Sequence, residues 1–159
     1  QISFKREILQ KSHDRYNIQG YESTGVSLTI YSIKSYFDAN MKLLDPAVRN
    51  SIFNAQSPIY TKIKDDVPAK YGTSAKVSNS LVADGCIIDG EVENSIIFRG
   101  VQIAKGVSVK NSIVMQGATL SDGASLNYVI VDKDVLVREH RTLMGFETYP
   151  IYIAKGSVV

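Results

Sequence analysis

The chain has 159 residues, 44% of them apolar and 21% charged, and its 18 basic side chains against 16 acidic ones leave a formal charge of +2. That size suits one domain or two small pieces sharing a core. With no run of like charge, no apolar stretch of membrane length and a single cysteine, the composition argues against nucleic-acid binding, membrane attachment and an internal disulfide. A reducing, cytoplasmic setting is therefore expected, and the opening at Gln1 without an initiator Met reads as a piece of something longer.

Phe4, Ile8 and Leu9 fall at helical spacing behind Ser3, which predicts a short capped helix over Phe4 to Lys11. Val26, Leu28 and Ile30 then alternate with Ser27, Thr29 and Tyr31 between glycines, the pattern of a strand. The best helix follows. Ser32 caps it, Ile33, Phe37, Met41 and Leu44 make its apolar stripe, and Asp45-Pro46 ends it while starting a second short helix through Val48 and Ile52. "IYTKIK", between Pro58 and Pro68, predicts one crossing strand. Residues 1–53 thus read as a small α/β piece and residues 54–76 as a linker.

From residue 77 to the end the character changes. "NSLVADGCIIDG" returns as "NSIIFRGVQIAKG" and as "NSIVMQGATLSDG". Four rows start at Val77, Val92, Val109 and Leu126, rich in Val, Ile and Gly and without helical periodicity. Apolar residues recur in steps of about six along a row. This is the hexapeptide pattern of a mainly β fold, a left-handed parallel β-helix over residues 77–159. Equivalent residues then stack about 4.8 Å apart. Asn79, Asn94 and Asn111 become an amide ladder at a corner, ended by Tyr128, because Asn tolerates left-handed backbone angles.

Assigning Ile96, Phe98, Ile113 and Met115 inward puts Asp132 in an inward column and turns Val82, Ile97, Val114 and Val131 outward. Such a ridge on the solenoid surface marks a subunit or domain interface unless the C-terminal "TYPIYIAKGSVV" or the linker folds over it. Cys86 shares a column with Val101, Ala118 and Val135 and reads as a small core residue. His13 and His140 lack a nucleophile or carboxylate at catalytic spacing, and no Cys or His pair has zinc-ligand spacing. Arg99, Lys133, Arg138 and Arg141, with Lys105, are the candidates for an anion site, although Arg99 and Lys133 share a column with Asp84 and Gln116.

"PIYTKIKDDVPAKYGTSAKVSNSLVADGCIIDGEVENSIIFRGVQIAKG" resembles the junction and β-helix of the ADP-glucose pyrophosphorylase (glucose-1-phosphate adenylyltransferase) family, and "SIKSYFDANMKLL" resembles the helix that ends its nucleotidyltransferase domain. The likeness runs from about Tyr21 to Val159. It implies that residues 1–53 close a nucleotidyltransferase domain. Catalytic members carry Asp-Val-Gly-Thr just before that helix, the Asp serving the magnesium; here Thr29, Ile30, Tyr31 and Ser32 stand there, and Thr29 supplies no anionic oxygen. The pattern resembles that of the noncatalytic GlgD type of glycogen-biosynthesis subunit. By resemblance, the chain is inactive alone, holds no cofactor, and assembles as a homo- or hetero-oligomer with a catalytic subunit. Two alternatives remain: a hexapeptide acyltransferase relying on His140, and a fragment of an independently active pyrophosphorylase.

Overall fold

The computed structural model describes residues 3–61 and 64–159. Near the start, Ser3 caps a helical segment, wound in the wide π form over Phe4–Leu9 and continued by α1 (Gln10–Ser12). Next comes α2 (Ile33–Met41), whose Ser32 hydroxyl accepts from the Ser35 amide while the Ser35 side chain accepts from the Ser32 amide, satisfying two free helix-end donors at once. A 3-10 turn over Lys42–Leu44 ends at Asp45, which caps α3 (Pro46–Ile52).

The strand expected around Val26 to Ile30 is absent: those residues are irregular and make no backbone ladder bond. Alternation supplies one face of a strand, whereas a strand also needs a neighbour for its amides and carbonyls, and no described segment lies beside this one. The leading segment is therefore helical and irregular. Of "IYTKIK", Lys62 and Ile63 lie outside the described residues, and the other four form no strand.

The rest is a left-handed parallel β-helix with three five-stranded sheets. Sheet A stacks β1 (Lys70–Tyr71), β4 (Ile87–Ile88), β7 (Gln102–Ile103), β10 (Thr119–Leu120) and β13 (Leu136–Val137). Sheet B stacks β2 (Lys76–Ser78), β5 (Glu91–Glu93), β8 (Ser108–Lys110), β11 (Ser125–Asn127) and β14 (Thr142–Met144). Sheet C stacks β3 (Leu81–Val82), β6 (Ile96–Ile97), β9 (Ile113–Val114), β12 (Val129–Val131) and β15 (Ile151–Ile153). The first coil strand thus lies inside the stretch read as linker. Strands this short follow from the repeat: one side chain per face points to the axis before the chain turns.

The core is a set of columns. Ile88, Ile103, Leu120 and Val137 fill the side under sheet A, Val92, Val109 and Leu126 that under sheet B, and small or branched Cys86, Val101, Ala118 and Val135 fill a corner. Each large aliphatic side chain buried this way stabilises the fold by about 1.5–3 kcal/mol.

Two ladders hold the corner between sheets B and C. Asn79 donates to Asn94 at 2.9 Å, Asn94 to Asn111 at 2.6 Å and Asn111 to Asn127 at 2.9 Å. The three repeat asparagines sit at φ 40°, 47° and 44°, and Tyr128 takes the same left-handed position at 55°. Beside them Ser95 and Ser112, both fully buried, donate to the carbonyls of Glu93 and Lys110 and accept from the amides of Ser112 and Val129. The first row is short because its corner between sheets A and B is cut to Asp89 and Gly90. A Cβ on Gly90 would lie 2.5 Å from the Val107 carbonyl oxygen, so only glycine permits the shortcut.

Candidate functional site

The solenoid presents three outer faces, and each has its own chemistry. On sheet B the charges neutralise one another rung to rung: Lys76 pairs with Glu91 at 2.7 Å and Lys110 with Glu93 at 3.1 Å. Sheet C is apolar outside as well as inside. Phe37 of α2 seats against Ile113 and Ile130, with Tyr36, Met41, Phe98, Met115 and Tyr128 around them. The Phe37 and Tyr128 rings meet at 6.2 Å, tilted by 48°, within the range for a favourable aromatic pair. Burial there pushes the Tyr36 phenol above its usual range. Among the described residues, sheet A has no such cover.

This arrangement corrects the proposed ridge. Ile97, Val114 and Val131 point to the axis with at most 1% exposure, and Val82 packs on the same core. The outward column is Ile96, Ile113 and Ile130, one residue earlier, and Ile113 and Ile130 are covered by α2 rather than by the C-terminal segment, whose Ile151–Ile153 continues sheet C. The column named from the sequence is therefore core, and a solenoid core side chain cannot reach a partner. The same slip misplaces Asp132. It faces outward and accepts a 2.6 Å bond from the Tyr152 hydroxyl and another from the Lys133 amide, which hold its carboxyl below the usual range.

The anion candidates fall at two corners. Gly100 donates to the Asp84 carbonyl, Gly117 to Arg99 and Asp134 to Gln116, so Arg99 and Lys133 stack at the corner between sheets C and A. Arg138 and Arg141 sit at the next corner, between A and B, around a shallow depression of about 500 Å³ with Ser121, Glu139 and His140. His140 occupies that corner at φ 55°, its Nδ1 against Gly123, and no Ser, Cys or carboxylate hydrogen-bonds its ring among the described residues. His13 lies exposed near the start, its ring against the Gln10 carbonyl and Asp14. Cys86 is fully buried, its thiol donating to the Phe98 carbonyl at 3.0 Å, and burial pushes its pKa up, which makes it a packing residue rather than a nucleophile.

Thr29 is exposed on the unpaired irregular segment. A neutral hydroxyl there does not fit the family's magnesium, and among the described residues no three His, Cys, Asp or Glu side chains gather to hold a metal. No described helix is long and apolar enough to cross a membrane.

The serine ladder escaped the sequence reading although the signal was visible: each repeat opens with Asn-Ser, not Asn alone. The cover on sheet C carried no signal within the repeats, because the helix that supplies it is remote in the chain.

Comparison with known proteins agrees with this geometry. Residues 65–148 match the family described as GlmU-like, C-terminal hexapeptide. Glycogen biosynthesis protein GlgD of Bacillus subtilis (strain 168) is 46% identical over 153 residues, covering 96% of this chain and 45% of that relative. Glucose-1-phosphate adenylyltransferase of Geobacillus stearothermophilus is 37% identical over 89 residues, 56% of this chain and 23% of that relative. The same-named protein of Clostridium beijerinckii is 41% identical over 86 residues, 54% of this chain and 22% of that relative. The chain spans less than half the length of these relatives. A solenoid of hexapeptide rows, matching that family over more than half of the chain, places it in the GlmU-like, C-terminal hexapeptide family, with GlgD and glucose-1-phosphate adenylyltransferases among its relatives.

Proposed function

We propose that the chain is the regulatory and assembly portion of a glucose-1-phosphate adenylyltransferase subunit in bacterial glycogen biosynthesis, working in the cytoplasm beside a catalytic subunit that makes ADP-glucose from ATP and glucose 1-phosphate. The observation that carries this reading is the 46% identity to GlgD across 96% of the chain. The neutral, exposed Thr29 supports the noncatalytic half of it. In this reading residues 1–53 close a nucleotidyltransferase-like unit, residues 54–76 link it, and residues 77–159 form the body that α2 straps to it.

The test is the activator response of the catalytic subunit, measured with and without the full-length parent of this chain. A raised rate or a shifted activation curve is expected. No change, together with failure to co-purify, would refute the companion role. The chain alone is expected to give no ADP-glucose, and measurable synthesis would refute the noncatalytic part.

A further inference from the structure

Sheet B neutralises its own charges and sheet C is covered, but the outer face of sheet A has neither arrangement. Ile87 and Leu136 stand 49% and 37% exposed on it. Asp84, Lys105, Asp122, Lys133 and Arg138 border it, and none makes an ion pair with a described residue.

These positions are related by one symmetry operation. Along sheet A the outward residues are Lys70, Ile87, Gln102, Thr119 and Leu136, with Val158 bridged to Leu136 as a sixth rung. A two-fold axis lying along the strands, midway between β7 and β10, sends the second rung onto the fifth and the third onto the fourth while each column stays in place. Ile87 of one copy then meets Leu136 of another. In the next outward column, running from Asp89 through Ala104 and Ser121 to Arg138 by its backbone ladder, Asp89 meets Arg138. One residue further on, Lys105 meets Asp122 and Asp122 meets Lys105, closing four charges of alternating sign around the axis. At the rim Asp84 meets Lys133. Every charged pair so generated has opposite signs.

The other two-fold, along the solenoid axis, keeps the rungs level and exchanges the columns. Turned about the Ile87 column, it sets Arg99 against Lys105, two like charges, and Lys133 against Glu139, two opposite ones. Like charges opposed across an interface cost several kcal/mol, so the first arrangement, whose charged pairs are all of opposite sign, is the better match.

We propose that the outer face of sheet A is a self-docking surface on which a second copy of this chain packs with its solenoid antiparallel, an isologous contact. This goes beyond the companion role, which does not depend on it. Six rungs at ~4.8 Å by about five residues at ~3.3 Å give a face of roughly 450 Å² per copy. That is near half of the ~800 Å² per partner of a standard interface, so a weak dimer is expected, and a salt-sensitive one because its charges lie at the surface.

Sedimentation equilibrium of the chain over a concentration series, at low and high salt, tests this. A monomer–dimer equilibrium weakened by salt is expected. Lys105→Glu sets a glutamate against Asp122 and should raise the dimer Kd at least tenfold, and adding Asp122→Lys should restore it. Asp84→Lys with Lys133→Asp repeats the exchange at the rim, should the first swap disturb its corner. A monomer at every concentration, a dimer indifferent to Lys105→Glu, or a double variant no better than the single would overturn the proposal. Association with the catalytic subunit but not with itself would also overturn it, while leaving the companion role standing.

Discussion

Asn111 sits in the middle of the amide ladder, and its replacement separates hydrogen bonding from backbone conformation. Asn111→Ala removes the 2.6 Å bond accepted from Asn94 and the 2.9 Å bond donated to Asn127. At about 1 kcal/mol net each, that is about 2 kcal/mol. It also leaves a Cβ-bearing residue without Asn's local hydrogen bonding at φ 44°, which adds about 1 kcal/mol or more. Asn111→Gly loses the same two bonds but adopts the left-handed angle freely, so it should be the milder change by about 1 kcal/mol. In ordinary sheet or helix the order is the reverse. Thermal unfolding followed by circular dichroism reads the effect: a loss of about 3 kcal/mol lowers Tm by roughly 6–12 °C in a domain of this size. Glycine as damaging as alanine, or both variants melting like the wild type, would refute the account of the corner.

Phe37→Ala should detach α2 from sheet C at a cost of about 3 kcal/mol while the coil keeps its β signal, because Phe37 is 3% exposed and belongs to a cluster separate from the solenoid core. Uncovered Ile113 and Ile130 should then bind a hydrophobic dye, and unchanged dye fluorescence would argue that something else covers them. The Asp132–Tyr152 bond predicts a pH window. Asp132 is held below its usual pKa, so its contribution is present above about pH 4 and is lost as pH falls through the lowered value. Tyr152 is held above its usual value by Asp132, so its contribution is present below about pH 10 and is lost as pH rises through the raised value. Tyr152→Phe should therefore melt below the wild type at neutral pH and level with it at both extremes; a gap of constant size would count against the bond.

Binding α2 to the outside of sheet C changes what the hexapeptide rows can offer a partner. An apolar face that would otherwise attract another protein is used within the chain, and the charged face of sheet B is already neutral. The face of sheet A, which no described residue covers, is where the proposed self-docking falls.

The rows, their steps and the identity of most core columns were legible in the sequence because the repeat is periodic and each corner carries its own marker. Asn79, Asn94 and Asn111 announce left-handed angles, and Cys86 falls in a column of small core residues. The direction of the sheet C side chains was not legible. Ile96 and Ile97, Ile113 and Ile130 with their Val neighbours are all apolar, so the usual alternation of core and solvent is missing there. Only the tertiary structure decides between two equally apolar neighbours, because the outer one is stabilised by a helix remote in the chain that the repeat does not mention. The strand expected near Thr29 fails for the same kind of reason: its pattern is local, but the partner that would complete its hydrogen bonds has to come from elsewhere.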